Sequence, residues 1–329
     1  MSGRWVLGVD IGGTNLVVAS VPLAPGHPAA VRSRDTIPAR GPDAAVRDIG
    51  AMAEEVIDAT IAEFGGARED FVGVGIGCPG PLDLTTGVVI STPNLGWDGY
   101  PIRARISEVV GLPATLDNDG NCATYGEWWR GAGQGASSIA GVTVGTGIGG
   151  GLVVDGQVLR GVSGSAGEIG HMTIDFSGRR CACGNVGCLE AYTSGPNIAA
   201  RAREGLAGRI DSILASLVDG QLDRITARTV YDGVVRGDAY AADVMKETAK
   251  ILGVGVANIV NVFNPEVVVI VGGVTRAGEY LFGPLREEVG RRAFPSAVSA
   301  CSIVPGALPE TAGVIGAAGI FVAEHERIG

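Results

Sequence analysis

Trp5-Val6-Leu7-Gly8-Val9-Asp10, then Ile11-Gly12-Gly13-Thr14-Asn15, then Leu16-Val17-Val18-Ala19 reads as an apolar strand, a glycine turn and a second apolar strand. Short apolar runs bounded by a glycine pair predict a tight hairpin. From Ser138 the pattern begins again: Ile139-Ala140-Gly141-Val142-Thr143-Val144, the turn Gly145-Thr146-Gly147-Ile148-Gly149-Gly150-Gly151, and Leu152-Val153-Val154. One unit repeated in each half predicts two similar α/β lobes. The second turn also matches the GxGxxG spacing of dinucleotide folds, but that motif must open a helix. Here Gly151-Leu152-Val153-Val154-Asp155 continues as strand, which argues against a nicotinamide cofactor.

Outward from these hairpins the chain alternates strands and helices. Val46, Ile49, Ala53, Val56, Ile57, Ile61 and Phe64 recur at three and four, predicting a helix over 43–64 that Gly65-Gly66 stops. Apolar runs predict strands over 71–77, 112–116, 267–271 and 301–304. Helices are expected over about 120–130, 243–263, 279–292 and 311–324. This alternation implies a mixed, mainly parallel sheet in each lobe. Ile210, Ile213, Leu214 and Leu217 have the spacing of lobe core rather than of an interface.

Composition excludes several classes. The chain has 329 residues, 46% of them hydrophobic, enough for two domains with sizeable cores. Its net charge of −10 offers no concentrated positive charge to a nucleic acid backbone. Of the 25 basic residues only Lys246 and Lys250 are lysine, so there is no GxxxxGK[ST] phosphate loop. No run of 18 apolar residues predicts a membrane span, and Met1-Ser2-Gly3-Arg4 does not resemble a signal peptide. A cytoplasmic location is the expectation.

Three of six cysteines cluster in Arg180-Cys181-Ala182-Cys183-Gly184-Asn185-Val186-Gly187-Cys188-Leu189-Glu190, shortly after Glu168-Ile169-Gly170-His171. Three thiols in a glycine-broken knuckle and one imidazole can complete a tetrahedron around zinc, and a site without an open position is structural. His171, Cys181, Cys183 and Cys188 are the candidate ligands; three reduced cysteines in a solvent loop are the alternative.

Two carboxylates sit at strand ends. Asp10, beside Gly12, Gly13 and Thr14, can hold hydrated Mg²⁺ while glycine N–H groups approach phosphate oxygens. Thr146 and Gly147 in the second turn provide a matching loop, so the two turns can hold one phosphate chain. Asp119, before the helix from about Gly120, is placed either to take a proton from an attacking hydroxyl or to cap that helix, with Asp117 and Asn118 as competing caps.

These motifs, in this order and over essentially the whole chain, resemble the ROK family (repressors, open reading frames and sugar kinases). The stretches that carry the likeness are Asp10 to Thr14, Asn118-Asp119-Gly120-Asn121, the second glycine turn, Glu168-Ile169-Gly170-His171 and the cysteine run. The branch of bacterial glucokinases is the nearest likeness, through Thr92-Pro93-Asn94-Leu95-Gly96-Trp97, Gly126-Glu127 and Arg130-Gly131-Ala132-Gly133. The resemblance implies a two-lobed actin-like, hexokinase-like (ribonuclease H-like) ATPase fold with a zinc-binding loop and a sugar-and-ATP cleft. The expected lobes are 1–118, completed by a helix over about 311–329, and 119–310 with the zinc loop 171–190.

The resemblance further implies ATP-dependent phosphorylation of a hexose, most readily glucose at the 6-hydroxyl. Asp119 is then the general base. Gly80, Asn94, Asn118, Glu168, His171 and Glu190 are sugar contacts, His171 giving one ring nitrogen to zinc and the other to sugar. Asp10, Gly12, Gly13, Thr14, Thr146 and Gly147 meet the phosphates and Mg²⁺, and Gly272-Gly273 borders adenosine. Asn15 stands where many relatives carry lysine, and Gly120 where alanine is frequent. The alternatives are a kinase for N-acetylglucosamine, N-acetylmannosamine, mannose or fructose, polyphosphate as phosphate donor, or a sugar-responsive repressor, for which the chain shows no DNA-binding segment. A homo-oligomer, dimer or tetramer, is the family's habit.

Overall fold

The computed structural model describes residues 3–92, 94–208 and 211–326. Pro93 of the 92–97 motif, Ile210, and residues 327–329 of the expected C-terminal helix lie outside that range. The first part of the chain runs β1 (Trp5–Ile11), β2 (Asn15–Pro22), β3 (Ala30–Asp35), α1 (Pro42–Phe64), β4 (Phe71–Cys78), β5 (Leu82–Asp83), β6 (Val88–Thr92), β7 (Trp97–Tyr100), α2 (Ile102–Val110), β8 (Ala114–Asn118) and α3 (Asp119–Arg130). It continues with β9 (Ser138–Val144), β10 (Ile148–Val154), β11 (Gln157–Val158), α4 (Glu190–Thr193), α5 (Gly195–Ala207), α6 (Ala227–Val235) and α7 (Ala239–Phe263). The last elements are β12 (Val267–Val271), α8 (Glu279–Arg292), α9 (Pro295–Ala300), β13 (Ser302–Pro305) and α10 (Ala312–Glu326).

The repeated glycine hairpin seeds two five-stranded sheets of the same order, β3-β2-β1-β4-β8 and β11-β10-β9-β12-β13. In the first, β1 pairs antiparallel with β2 and parallel with β4, and β4 pairs parallel with β8. In the second, β12 pairs parallel with both β9 and β13. The chain divides into two compact units: residues 1–135, 151–167 and 307–329 form one, residues 136–150 and 168–306 the other. Helix α3, which follows the expected boundary at residue 118, groups with the first unit. It does so because its Cys122 and Gly126 backbone lies directly against Gly316 and Ala312 of α10; a Cβ on Gly126 or Gly316 would overlap the facing carbonyl oxygen.

Inside the first unit, β1 obeys strand alternation. Leu7, Val9 and Ile11 turn to the side of α1, where Ile49, Met52, Ala53 and Val56 are buried with them. Val6 turns to the opposite face and joins Ile315, Ala318 and Phe321 of α10. That helix is apolar all round because it is covered all round. It approaches so closely that a Cβ on Gly8 or Gly75 would overlap the carbonyl oxygens of Val314 and Ala317. Inside the second unit, Val268, Val269 and Ile270 of β12 are fully buried, and α7 packs against α6 and α8. Of the apolar run after Leu206, Leu214 is buried and Ile213 exposed. No helix among the described residues is long and apolar enough to cross a membrane.

Candidate active site

In the first unit the turn after β1 is held open by its own backbone. Gly12 N–H donates to the Asn15 carbonyl oxygen at 2.9 Å, and the Thr36 hydroxyl donates to the Gly12 carbonyl at 2.8 Å. Gly13, Thr14 and Asn15 are exposed, with the Thr14 and Asn15 carbonyls taken up by Thr36 N and Gly12 N. Asp10 lies beside them at the end of β1, its carboxylate against Gly77 and Gly313, where a side chain on Gly313 would collide with it. Burial and the adjacent Asp119 carboxylate push Asp10 up to about 7. The two acids predicted from strand ends are thus electrostatic neighbours. Cys78 and Cys122 line the same place, and burial first, then these carboxylates, raise both thiols well above their usual value. They remain neutral and pack as small apolar groups.

The competition for the α3 cap has a winner. Asn118 is extended (φ −65°, ψ 143°) and its side-chain oxygen accepts from the N–H groups of Gly120 and Asn121. Asp119 begins the helix proper, with Oδ1 accepting from Gly120 N at 2.9 Å. The Asn118 amide nitrogen faces Gly80, and Asn94 faces Gly13. Asp10, the first glycine turn, Gly80, Asn94, Asn118 and Asp119 are therefore one constellation. The Gly80-Pro81 bond within it is cis.

The second unit gathers the remaining residues. His171 Nδ1 lies 3.7 Å from Cys181 Sγ, and Cys183 Sγ lies 3.7 Å from Cys188 Sγ. The four ligand atoms are all within 4.8 Å of one another. A tetrahedron with metal–sulfur bonds of ~2.3 Å has edges of ~3.8 Å, which the two 3.7 Å pairs match, so this donor set is compatible with zinc. The knuckle closes by Cys181 N–H donating to Asn185 O at 2.9 Å and Gly184 N–H to Cys181 O at 3.0 Å. Gly184 and Gly187 supply the positive φ, 92° and 75°, that the turn requires. Without a metal, burial raises Cys181 to about 12 and raises Cys188, while the Asn185 N–H lowers Cys183.

Glu190 joins this knuckle to the second glycine turn. Its Oε2 accepts from Ile148 N at 2.9 Å, and its Oε1 is 3.6 Å from Cys181 Sγ. The turn itself closes with Gly145 N–H donating to Gly147 O at 2.9 Å, leaving Thr146 exposed. Gly170 must be glycine, because a Cβ there would overlap the Ile148 carbonyl. The close seat fixes exposed Glu168 and half-buried His171 beside β10. Gly272, at φ 117°, presses on the Val144 carbonyl. Next to it opens a cavity of about 300 Å³ lined by Gly145, Gly195, Ala227, Arg228, Tyr231 and Gly273.

Sequence reading missed Arg228 and Tyr231, which lie on the nine-residue helix α6. It also missed Arg160, whose guanidinium meets Asp117 at 2.7 Å across 43 positions of sequence. No spacing rule reports such a pair.

The ROK family profile matches residues 6–324. This chain belongs to the ROK family. A glucokinase of Halalkalibacterium halodurans is 37% identical over 99% of the chain and 97% of its own length. A putative xylose repressor of a Caldicellulosiruptor species is 33% identical over 78% of this ROK chain and 64% of its own length. Among solved structures, a ROK family glucokinase from Streptomyces griseus, in complex with glucose and AMPPNP, superposes with a TM-score of 0.83 at 32% identity. That match covers 96% of this chain and 98% of the other.

Proposed function

We propose that this ROK protein transfers the γ-phosphoryl group of ATP to the 6-hydroxyl of glucose. The observation that carries the reading is the proximity of Asp119 and Asp10, at the ends of β8 and β1 on either side of β4, with Asn118 taking the capping role that Asp119 would otherwise fill. The full-length likeness to a glucokinase supports the choice of sugar. Phosphoryl transfer asks a protein for positioning and charge neutralisation more than for covalent help, and each residue has a share in that. Asp119 accepts the proton of the 6-hydroxyl as its oxygen attacks phosphorus. The Asn118 amide and Asn94 orient the sugar next to Gly80. On the first unit the exposed Gly13 and Thr14, in the turn that Gly12 closes, offer N–H and hydroxyl groups to phosphate, and on the second Thr146 and Gly147 offer a matching set.

Asp10 would hold Mg²⁺, whose charge offsets that of the phosphates. The apolar cavity beside Gly272-Gly273 suits an adenine ring, which favours ATP over polyphosphate. Glu168, His171 and Glu190 read the hydroxyls near the anomeric carbon. His171 has Nδ1 turned to the three sulfurs, so its Nε2 is the nitrogen available to sugar, and a zinc ion held by His171, Cys181, Cys183 and Cys188 would fix that tautomer. Zinc in this reading is structural and shapes the loop rather than taking part in the transfer.

The test is the product. Glucose and Mg-ATP incubated with the protein should yield glucose phosphorylated at carbon 6, seen as a phosphorus-coupled C6 signal by NMR. Phosphate on the anomeric oxygen, or ATP hydrolysis without sugar phosphate, contradicts the reading.

A further inference from the structure

The turn that presents Asp119 is clamped from beneath by a pair of charges that the reaction itself does not use. Asp117 is fully buried. Its Oδ2 accepts from Arg160 Nε at 2.7 Å. Its Oδ1 accepts from Asn118 N at 2.8 Å and from Asn121 Nδ2 at 2.8 Å. Asn118 Oδ1 in turn accepts from Gly120 N at 2.8 Å and Asn121 N at 3.3 Å. The residues on both sides of Asp119 are thus tied, directly or in one step, to the Asp117 carboxylate. Arg160 is the one cation drawn to that carboxylate in an ion pair among the described residues, and its other arm reaches Glu324 Oε1 of α10 at 2.8 Å.

We propose that Arg160 is a positioning residue for the transfer step, acting through Asp117 to hold the Asn118-Asp119 turn in register with the incoming hydroxyl. The inference rests on Asp119 being the base. A buried carboxylate that loses its only cation either takes up a proton or drags its turn toward water. In both cases its acceptor bonds to Asn118 and Asn121 weaken. A base displaced by about 1 Å costs on the order of 10²-fold in rate, whereas sugar contacts from other loops are unaffected.

The experiment compares Arg160→Met, Arg160→Lys and Glu324→Gln in the full-length protein, with Asp119→Ala in parallel. Arg160→Met should lower kcat at least tenfold with glucose KM within about threefold. Arg160→Lys should restore most of kcat, and Glu324→Gln should stay within twofold of the parent. A folded Arg160→Met with parental kcat overturns the proposal, as does a loss confined to KM. Should Arg160→Met fail to fold, Arg160→Gln replaces it, and parental kcat there is equally fatal. An inert Asp119→Ala alongside an unaffected Arg160→Met removes the Arg160 inference alone. An active Asp119→Ala removes the base assignment and this inference with it.

Discussion

With burial and Asp119 pushing Asp10 up to about 7, the metal-free protein holds a proton there that the unfolded chain gives up near pH 4. For an acid raised in this way the sign is unfavourable. Below pH 4 both states are protonated and nothing is lost; between pH 4 and 7 the unfolded state alone ionises, so stability falls with rising pH and then levels off. Asp10→Asn should therefore stabilise the metal-free protein at pH 8 by up to about 4 kcal/mol, with the difference vanishing near pH 4, while turnover is lost. Urea unfolding at the two pH values checks this, and an equal effect at both would refute the burial argument. Asp119→Ala should bind glucose as the parent does while kcat falls roughly 10²- to 10⁴-fold. Calorimetric titration and initial rates separate the two effects.

At the scale of elements, the strong periodicities were legible. The glycine hairpins, α1, β12 and most of α7 lie where alternation and three-four spacing put them, because each buries a whole face. The three-stranded sheet β5-β6-β7 was not legible: strands of two to five residues that include Asp83, Ser91, Asp98 and Gly99 look like turns. The metal knuckle was legible in composition, and its four side chains do converge. Zinc must displace protons from Cys181 and Cys188, both raised by burial, so its affinity should climb with pH and binding at pH 7 should release protons. Cys183→Ala should abolish bound zinc and raise glucose KM; a parental zinc content measured by mass spectrometry would dismiss the ligand set. Helix approach offers a separate check. Gly75→Ala forces a Cβ onto the Ala317 carbonyl and should cost about 2 kcal/mol or more. Gly290→Ala, in open space on α8, should be neutral or gain about 1 kcal/mol.

For the whole molecule, the sequence repeat announced two sheets of one design, and the identical strand order bears that out. The grouping of α3 with the first unit depends on its meeting α10, a contact between helices whose residues carry no mark of one another. The same holds for Arg160, Asp117 and Glu324, which meet only once the chain has folded. What the repeat cannot specify is the sugar, since hexoses differ by one substituent and the repeated hairpins contain none of the side chains proposed to read it. The most direct measurement is the initial rate of ADP release with Mg-ATP against glucose, mannose, fructose, glucosamine, N-acetylglucosamine and N-acetylmannosamine. A kcat/KM for glucose at least tenfold above every other sugar is the predicted result; a preference for another sugar, or no sugar-dependent ADP release at all, would contradict it.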